Sequence, residues 1–446
     1  MTLKGTLYRR GEDGYEDARQ AAVWNLRKPE RYPEAIVLAA DEDDVVEAVR
    51  LAQREGLQVK ARSGGHSWTG SSVRDGSVLV NLAGLDEISF NPQTGIATVS
   101  PGVKGRDLNA MLAGHNLFFP SGHCPTVGLG GFLLQGGWGW LGRVIGPACL
   151  SVVGIDLVTA EGELIHADEN HNSDYLWAAR GSGAGFFGVV TRFHLRAHPR
   201  PQAIYETTCV YPMEVLDEVL AWAIEVEPRF PPELEFAILA TTPRRAGGEV
   251  VEGETALVIM ASAMMASDEE ARAALALLES CPVREHALVF DGPLKRSFSD
   301  LYDGPDSVEP EGFRWSADGM WTDAGADELL PAMRELFTTV PSPASHVFWY
   351  PWREHPLGED AAISVQGKLY LAAFAGWLDP SADEQFLAWP VEQMRRLEPL
   401  SKGIQLADEN LIGRPARYLS DENNRRLEEL RARYDPDGLF ASYLTA

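Results

Sequence analysis

The chain has 446 residues, 45% of them hydrophobic, and a formal charge of −26 from 65 acidic and 39 basic side chains. That length is too great for one ordinary core and the apolar content is ample for two, so a globular chain of two domains is expected. The acidic residues are spread along the sequence with no basic patch to neutralise phosphates, which excludes nucleic acid as a partner.

The first residues, MTLKGTLYRRGEDGYEDAR, lack the apolar core of a secretory signal and are too acidic for a transit peptide, so cytoplasmic residence is expected. EAIVLAA then reads as a strand. Asp41 caps a helix in which Val45, Val46, Val49 and Ala52 recur at helical spacing, and Gly56 ends it. LQVKARS and SVLVNL are the next strands. From Leu108 to Gly142 there is no Asp, Glu, Lys or Arg, a pattern that hydropathy alone reads as a membrane span. Its glycines, prolines and histidines make a poor spanning helix, so no membrane partner is expected. The stretch reads instead as a wall pressed against something large and buried.

Further on, GIDLVTAEGELIHA is a hairpin turning at Glu161 and Gly162, and FFGVVTRFHL a buried strand. The proline-containing connector Arg196 to Gln202 changes the rhythm. Beyond it, TALVIMASAM is a strand and SDEEARAALALLES a helix capped by Ser267, which predicts helices packed on an antiparallel sheet. The aromatic strands HVFWYPW and KLYLAAFAGW serve either as core or as pocket walls. The tail, SDENNRRLEELRARYDPDGLFASYL, is a helix followed by a turn. Cys124, Cys149, Cys209 and Cys281 follow no zinc or disulfide spacing, and most read as buried thiols.

Glycine loops bind anions because successive unobstructed backbone N–H groups converge on the charge. RSGGHSWTGSS, Arg62 to Ser72, meets that requirement and holds one imidazole, His66. It leads into a strand and not a helix, so it is no Rossmann fingerprint. SGHCPTVGLGGFLLQGGWGWLGRVIG, Ser121 to Gly146, carries Cys124 near its start and a glycine density that lets backbone approach a flat, extended ligand. SDYLWAARGSGAGFFGVVTRF adds a third glycine-rich turn. Three such segments imply a large cofactor.

Together with the terminal YDPDGLF, these motifs resemble the berberine-bridge-enzyme-like flavoproteins of the vanillyl-alcohol-oxidase superfamily, over most of residues 30 to 200 and again at the tail. The resemblance implies an α+β fold: a two-part PCMH-type FAD-binding domain (residues 1–201, core about 30–200), a substrate domain of antiparallel sheet covered by helices (202–400), and a C-terminal segment (401–446) returning to the first. It also implies FAD held by two covalent bonds, from His66 to the 8α-methyl and from Cys124 to C6. A neutral imidazole and a thiolate are competent nucleophiles toward an electron-poor ring. By the same resemblance, Ser63, Gly64, Gly65, Ser67 and Gly70 wrap the pyrophosphate. Thr126, Val127, Gly128, Gly131, Gly136 and Gly137 lie along the flavin and its chain, and Gly188 and Val190 meet the cofactor by main chain. The residue three after the cysteine influences oxygen access in this family. Val127 resembles the oxygen-using members, so molecular oxygen is the expected acceptor.

Several positions depart from the family pattern. Phe186 replaces the usual Asn before FGVVT, Leu150 and Ser151 stand where Asp-Asn is common, and GIQLADEN replaces a tyrosine-containing motif. The strand on which many relatives carry a catalytic carboxylate corresponds to KLYLAAFAGW. Its pocket-facing positions are Leu371 and Ala373, or Tyr370 and Ala372 in the other register, and neither set offers a carboxylate. Candidate bases are therefore Tyr350 and Tyr370, if a cation such as Lys368 or Arg353 lowers their pKa, together with His123, Asp408 and Glu409. The expected activity is oxidation of an alcohol or amine of a small or medium organic molecule by hydride transfer to flavin N5. The alternatives are a flavin-holding drug-binding protein and a dehydrogenase with another acceptor. Substrate identity and oligomeric state stay open.

Overall fold

The computed structural model describes residues 3–243, 255–302 and 308–445. Strands β1 (Thr6–Arg9), β2 (Ala35–Leu38), β3 (Gln58–Arg62) and β4 (Ser77–Asn81) form a sheet in the order β1-β2-β4-β3, parallel except for β1. β2 and β4 are near-continuous apolar runs because a parallel sheet is buried on both faces. Between β2 and β3 runs the helix Glu42–Glu55. The Asp41 carboxylate accepts from the Asp44 N–H at its start, and Gly56 ends it at φ +67°.

A second sheet follows. β5 (Ile88–Asn91), β6 (Ile96–Val99), β8 (Val152–Val158), β9 (Leu164–Asp168) and β10 (Val189–Arg196) lie in the order β5-β6-β10-β8-β9, all antiparallel, while β7 (Leu117–Phe118) pairs with β11 (His198–Pro199). The uncharged stretch Leu108–Gly142 breaks into short pieces, among them the helix Leu129–Leu134. No helix among the described residues is long and apolar enough to cross a membrane. Both sheets share one core with the helix Glu42–Glu55.

The third sheet is fully antiparallel. Its seven strands are β12 (Ala203–Pro212), β13 (Leu234–Thr241), β14 (Ala256–Met265), β15 (Val289–Lys295), β16 (Arg314–Thr322), β17 (His346–Pro351) and β18 (Leu369–Trp377), in the order β15-β12-β14-β13-β17-β18-β16. One face packs under four helices, Leu216–Val226, Asp268–Leu275, Ala326–Thr338 and Asp383–Leu397. The opposite face carries Trp321, Tyr350, Tyr370 and Phe374 and meets Trp24, Trp68 and Trp138 from the N-terminal half. Strand alternation decides which residues of β18 face which way. Leu371 and Ala373 go under the helices, and Tyr370 with Phe374 looks toward the N-terminal half, so the second of the two sequence registers is the observed one.

The chain ends against its beginning. Ser420 caps the helix Asp421–Tyr434, after which Val59 of β3 donates to Leu439 and accepts from Ala441, at 2.7 and 3.1 Å.

Candidate active site

β3 delivers the loop that begins at Ser63. Gly65 and Gly70 turn it at φ +74° and +60°, conformations that L side chains rarely adopt. At Gly64 the loop touches Gly128, where a Cβ would stand 2.5 Å from the Gly128 nitrogen. Two glycine backbones are thus in direct contact, and beside them opens a cleft lined by Ser63, Gly64, Gly65, His66, Ser67, Val127, Gly128, Gly131 and Gly188. The Gly131 N–H donates to the Ser63 hydroxyl at 3.1 Å. A Cβ on Gly131 would meet nothing nearer than that hydroxyl at 4.0 Å, so it would project into open space.

The cleft's only charged lining residues, among those described, are Lys60 and Arg62; it has no carboxylate. In a chain of net charge −26 that is a local inversion of sign. Burial, with Arg74 and Arg431 nearby, pulls the Lys60 ammonium down to about 7. An anion entering the cleft restores its charge. Unobstructed glycine backbone, an uncluttered Gly131 face and two half-buried cations fit the pyrophosphate and extended chain of FAD.

His66 lines this cleft with its ring stacked on Trp24 at 4.9 Å and hydrogen-bonded to the backbone of Thr126. Burial, then Lys104 and Arg62, push its imidazole down to about 3, so it is neutral at physiological pH and the ring nitrogen that does not bond Thr126 keeps a lone pair for nucleophilic attack. Cys124 lies close by, its sulfur 3.4 Å from the Thr126 hydroxyl. Thr126 therefore bridges the two side chains. Cys124 is half-exposed, whereas Cys149, Cys209 and Cys281 are buried, and burial raises the Cys149 and Cys209 thiols to about 12.

Cys124 borders a second cavity of about 290 Å³ beneath the third sheet. Phe132 and Ala407 line both cavities and mark where they meet. The second is walled by tryptophans, including Trp68, Trp138, Trp321 and Trp352, and holds four carboxylates, Glu206, Glu235, Glu309 and Asp408, with no Lys or Arg among its described lining residues. The Asp408 carboxylate accepts from the Tyr370 hydroxyl at 2.6 Å, Gln405 Nε2 at 2.7 Å and Trp68 Nε1 at 2.8 Å. Burial raises its pKa above the ordinary value despite those donors. Across the cavity, Glu235 pairs with His123 Nε2 at 3.0 Å and accepts from the Leu141 N–H. Trp138 Nε1, Trp140 Nε1, Trp321 Nε1, His346 Nδ1 and Gln405 Oε1 are buried along this wall without hydrogen-bond partners among the described residues. Buried polar atoms ordinarily have partners, so these five suit a polar guest.

Tyr350, Tyr370 and His123, named from sequence, all line this second cavity. The condition set for the tyrosines fails, however. Burial raises both phenols well above their usual pKa, Glu235 and Asp408 add to the rise, and Arg143 beside Tyr350 opposes it only in part. Lys368 and Arg353 are exposed. Both phenols therefore stay protonated at neutral pH. Glu409 lines neither cavity; it is held by Thr69 and the Leu411 N–H. Gly136 and Gly137 form a turn packed on Ile363 and Ala148, Gly70 packs on Pro29, and Val190 is a core residue of β10 paired with Leu157; these four and Thr126 are not among the described residues that line the cleft.

Sequence reasoning did not single out Lys60, Arg62 or Glu235. A lysine inside a strand that runs into a glycine loop, and one glutamate in the apolar run LEFAIL, were the available signals. It left Asp408 among several candidates because nothing local joins a turn at 408 to a strand at 370.

Comparisons with known proteins bear on the family and the fold. The FAD binding domain family matches residues 33–168. The chain is 32% identical to the FAD-linked oxidoreductase nodO of Hypoxylon pulicicidum over 95% of this chain and 93% of the relative. It is 33% identical to the FAD-linked oxidoreductase ptmO of Penicillium ochrochloron over 97% and 94%. Its fold is similar to 6-hydroxy-D-nicotine oxidase from Arthrobacter nicotinovorans, with a TM-score of 0.85 at 20% identity, covering 100% of this chain and 98% of that one. It is equally similar to BBE-like 1 of Physcomitrella patens, with a TM-score of 0.85 at 19% identity and coverage of 99% and 98%.

Proposed function

Because this chain belongs to the FAD-linked oxidoreductases, we propose that it is an oxidase of the berberine-bridge-enzyme-like kind with FAD bonded to both His66 and Cys124. It takes two electrons from an amine or alcohol carbon of a neutral or cationic aromatic molecule and delivers them to molecular oxygen. FAD, when bound, supplies the hydride acceptor. The chain does the rest. Lys60, Arg62 and the Gly64–Gly128 backbone hold the anionic part of the cofactor, and the tryptophan walls exclude water from the reacting carbon. Asp408 accepts the proton that leaves the substrate O–H or N–H, with Tyr370 and Trp68 fixing its orientation.

The observation that carries this reading is the opposition of charge between two adjoining cavities, with His66 and Cys124 bordering one each and joined through Thr126. Asp408 supports turnover over passive drug binding, since a carboxylate reaches the cavity although β18 supplies none. Val127, at the position that influences oxygen access in the family, supports oxygen over another acceptor.

Two measurements test the proposal. Denatured protein should stay yellow and carry FAD-sized mass on peptides containing His66 and Cys124; free FAD with both peptides unmodified defeats the tethering. In stopped flow, an aromatic amine or alcohol should bleach the flavin anaerobically and air should restore it rapidly. Slow recovery in air would assign another acceptor, and no bleaching by any substrate class would return the protein to the binding reading.

A further inference from the structure

On the outer face of the second sheet, three adjacent strands bring together Asp156 of β8, His166 of β9 and His194 of β10. Register makes this a cross-strand cluster: Asp156 stands opposite His166, and His194 stands opposite Gly154. One carboxylate oxygen lies 2.6 Å from His166 Nδ1 and the other 3.2 Å from His194 Nε2. The imidazole rings are 5.3 Å apart between centroids. Gly154 keeps the floor open, since a Cβ there would crowd both rings at 3.3 and 3.4 Å. The surrounding shallow cavity shares no lining residue with the flavin cleft or the acidic cavity.

The far nitrogens of both rings are also anchored. His166 Nε2 faces Asp168 at 3.4 Å, and His194 Nδ1 is bonded to the Thr98 hydroxyl at 3.0 Å. His171 holds the other Asp168 oxygen at 3.1 Å. An imidazole whose outer nitrogen is oriented by a carboxylate or hydroxyl, leaving its inner nitrogen to converge with others, is the arrangement that metal-ligating histidines adopt. Among the described residues this is the one group of three or more such side chains whose donor atoms all lie within 4.8 Å of one another.

We propose that Asp156, His166 and His194 bind one divalent transition-metal ion, with zinc(II) as the reference case and water completing the coordination. Two imidazole nitrogens and one carboxylate oxygen are a borderline donor set suited to zinc rather than to magnesium or calcium. Donor atoms around zinc at about 2.0–2.2 Å stand roughly 3–3.5 Å apart, so small side-chain rotations suffice. Arg192, on the same face, points its charge to Glu42 at 3.1 Å and so does not occupy the site. An ion here ties β8, β9 and β10 to one another and stabilises the folded flavin domain by binding only that state.

The test is titration of the chelator-treated, flavin-loaded protein with zinc chloride at pH 7.5, read by calorimetry and by thermal midpoint. One equivalent should bind and raise the midpoint. His166→Gln and His194→Gln should each weaken binding more than 10-fold while leaving the flavin absorbance spectrum, which reports the fold, unchanged. Asp168→Asn, which among the three proposed ligands touches only the outer nitrogen of His166, should weaken it about 10-fold. Zinc uptake that is absent at pH 7.5, or equal in wild type and both His→Gln variants, overturns the proposal.

Discussion

At Asp408, three donors converge on one buried carboxylate, and the competition between burial and hydrogen bonding sets its pKa. Asp408→Asn removes the proposed base and keeps the shape, so kcat should fall about 10²–10⁴-fold with flavin content unchanged. Tyr370→Phe tests the same site more finely. The Tyr370 hydroxyl favours the ionised carboxylate, so its loss should raise the Asp408 pKa and move the acid limb of the kcat/KM profile to higher pH. An unmoved limb would remove Asp408 from the role of base. Glu409 gives a stability readout. Burial lifts its carboxyl to about 7, and the Leu411 N–H, Thr69, Arg74 and Lys60 only partly oppose that. A folded pKa above the unfolded one means stability is fully present below about 4.5 and is lost as pH rises through about 7. Glu409→Gln does not titrate. Its unfolding free energy, measured by denaturant titration, should therefore gain on wild type as pH goes from 5 to 8, by on the order of 1–3 kcal/mol at about 1.4 kcal/mol per pKa unit.

Elements place these groups through close backbone contact. The loop after β3 and the turn before the helix Leu129–Leu134 touch at Gly64 and Gly128, whereas Gly131 faces open cleft. The two kinds of glycine should respond differently to alanine. Gly64→Ala forces backbone apart and should lower stability by about 1–3 kcal/mol. Gly131→Ala lies in a helix, where alanine is favoured by about 1 kcal/mol. The apoprotein should be at least as stable, yet the ratio of flavin to protein absorbance should drop because the new methyl occupies cofactor space. Full flavin loading of Gly131→Ala would place the cofactor elsewhere. Strand β18 makes the same point about faces: one residue of register decides whether Tyr370 or Leu371 meets the cavity.

Over the whole molecule, charge is sorted. The surplus of 26 negative charges is interrupted at the cleft by Lys60 and Arg62 and reinforced in the neighbouring cavity by four carboxylates. An acidic surface leading to an acidic pocket attracts cations over roughly a Debye length, about 10 Å at 0.1 M salt. For a cationic aromatic amine, kcat/KM should decline as ionic strength rises from 20 to 300 mM, while a neutral aromatic alcohol stays nearly constant. Equal slopes for both would sink the cationic preference. Joining the halves also needs specific hydrogen bonds. Asn25 bonds both the carbonyl and the N–H of Trp315 in β16, at 2.8 and 3.0 Å, and so docks the N-terminal half to the third sheet.

The amino-acid sequence by itself determined the local pieces whose causes are local. Asp41 and Gly56 bound a helix through their own capping chemistry, Glu161–Gly162 turns a hairpin, and the order of glycine motifs marks an FAD-binding chain. Tertiary structure alone decided which side chains share a cavity. Asp408 meets Tyr370 and Trp68 across 38 and 340 residues, and Glu235 meets His123 across 112. Such contacts depend on how sheets pack and which face each strand turns inward, and no short-range pattern encodes that. Gly136 and Gly64 look alike in sequence for the same reason: both are free of a Cβ, but only the fold says which one borders the cleft.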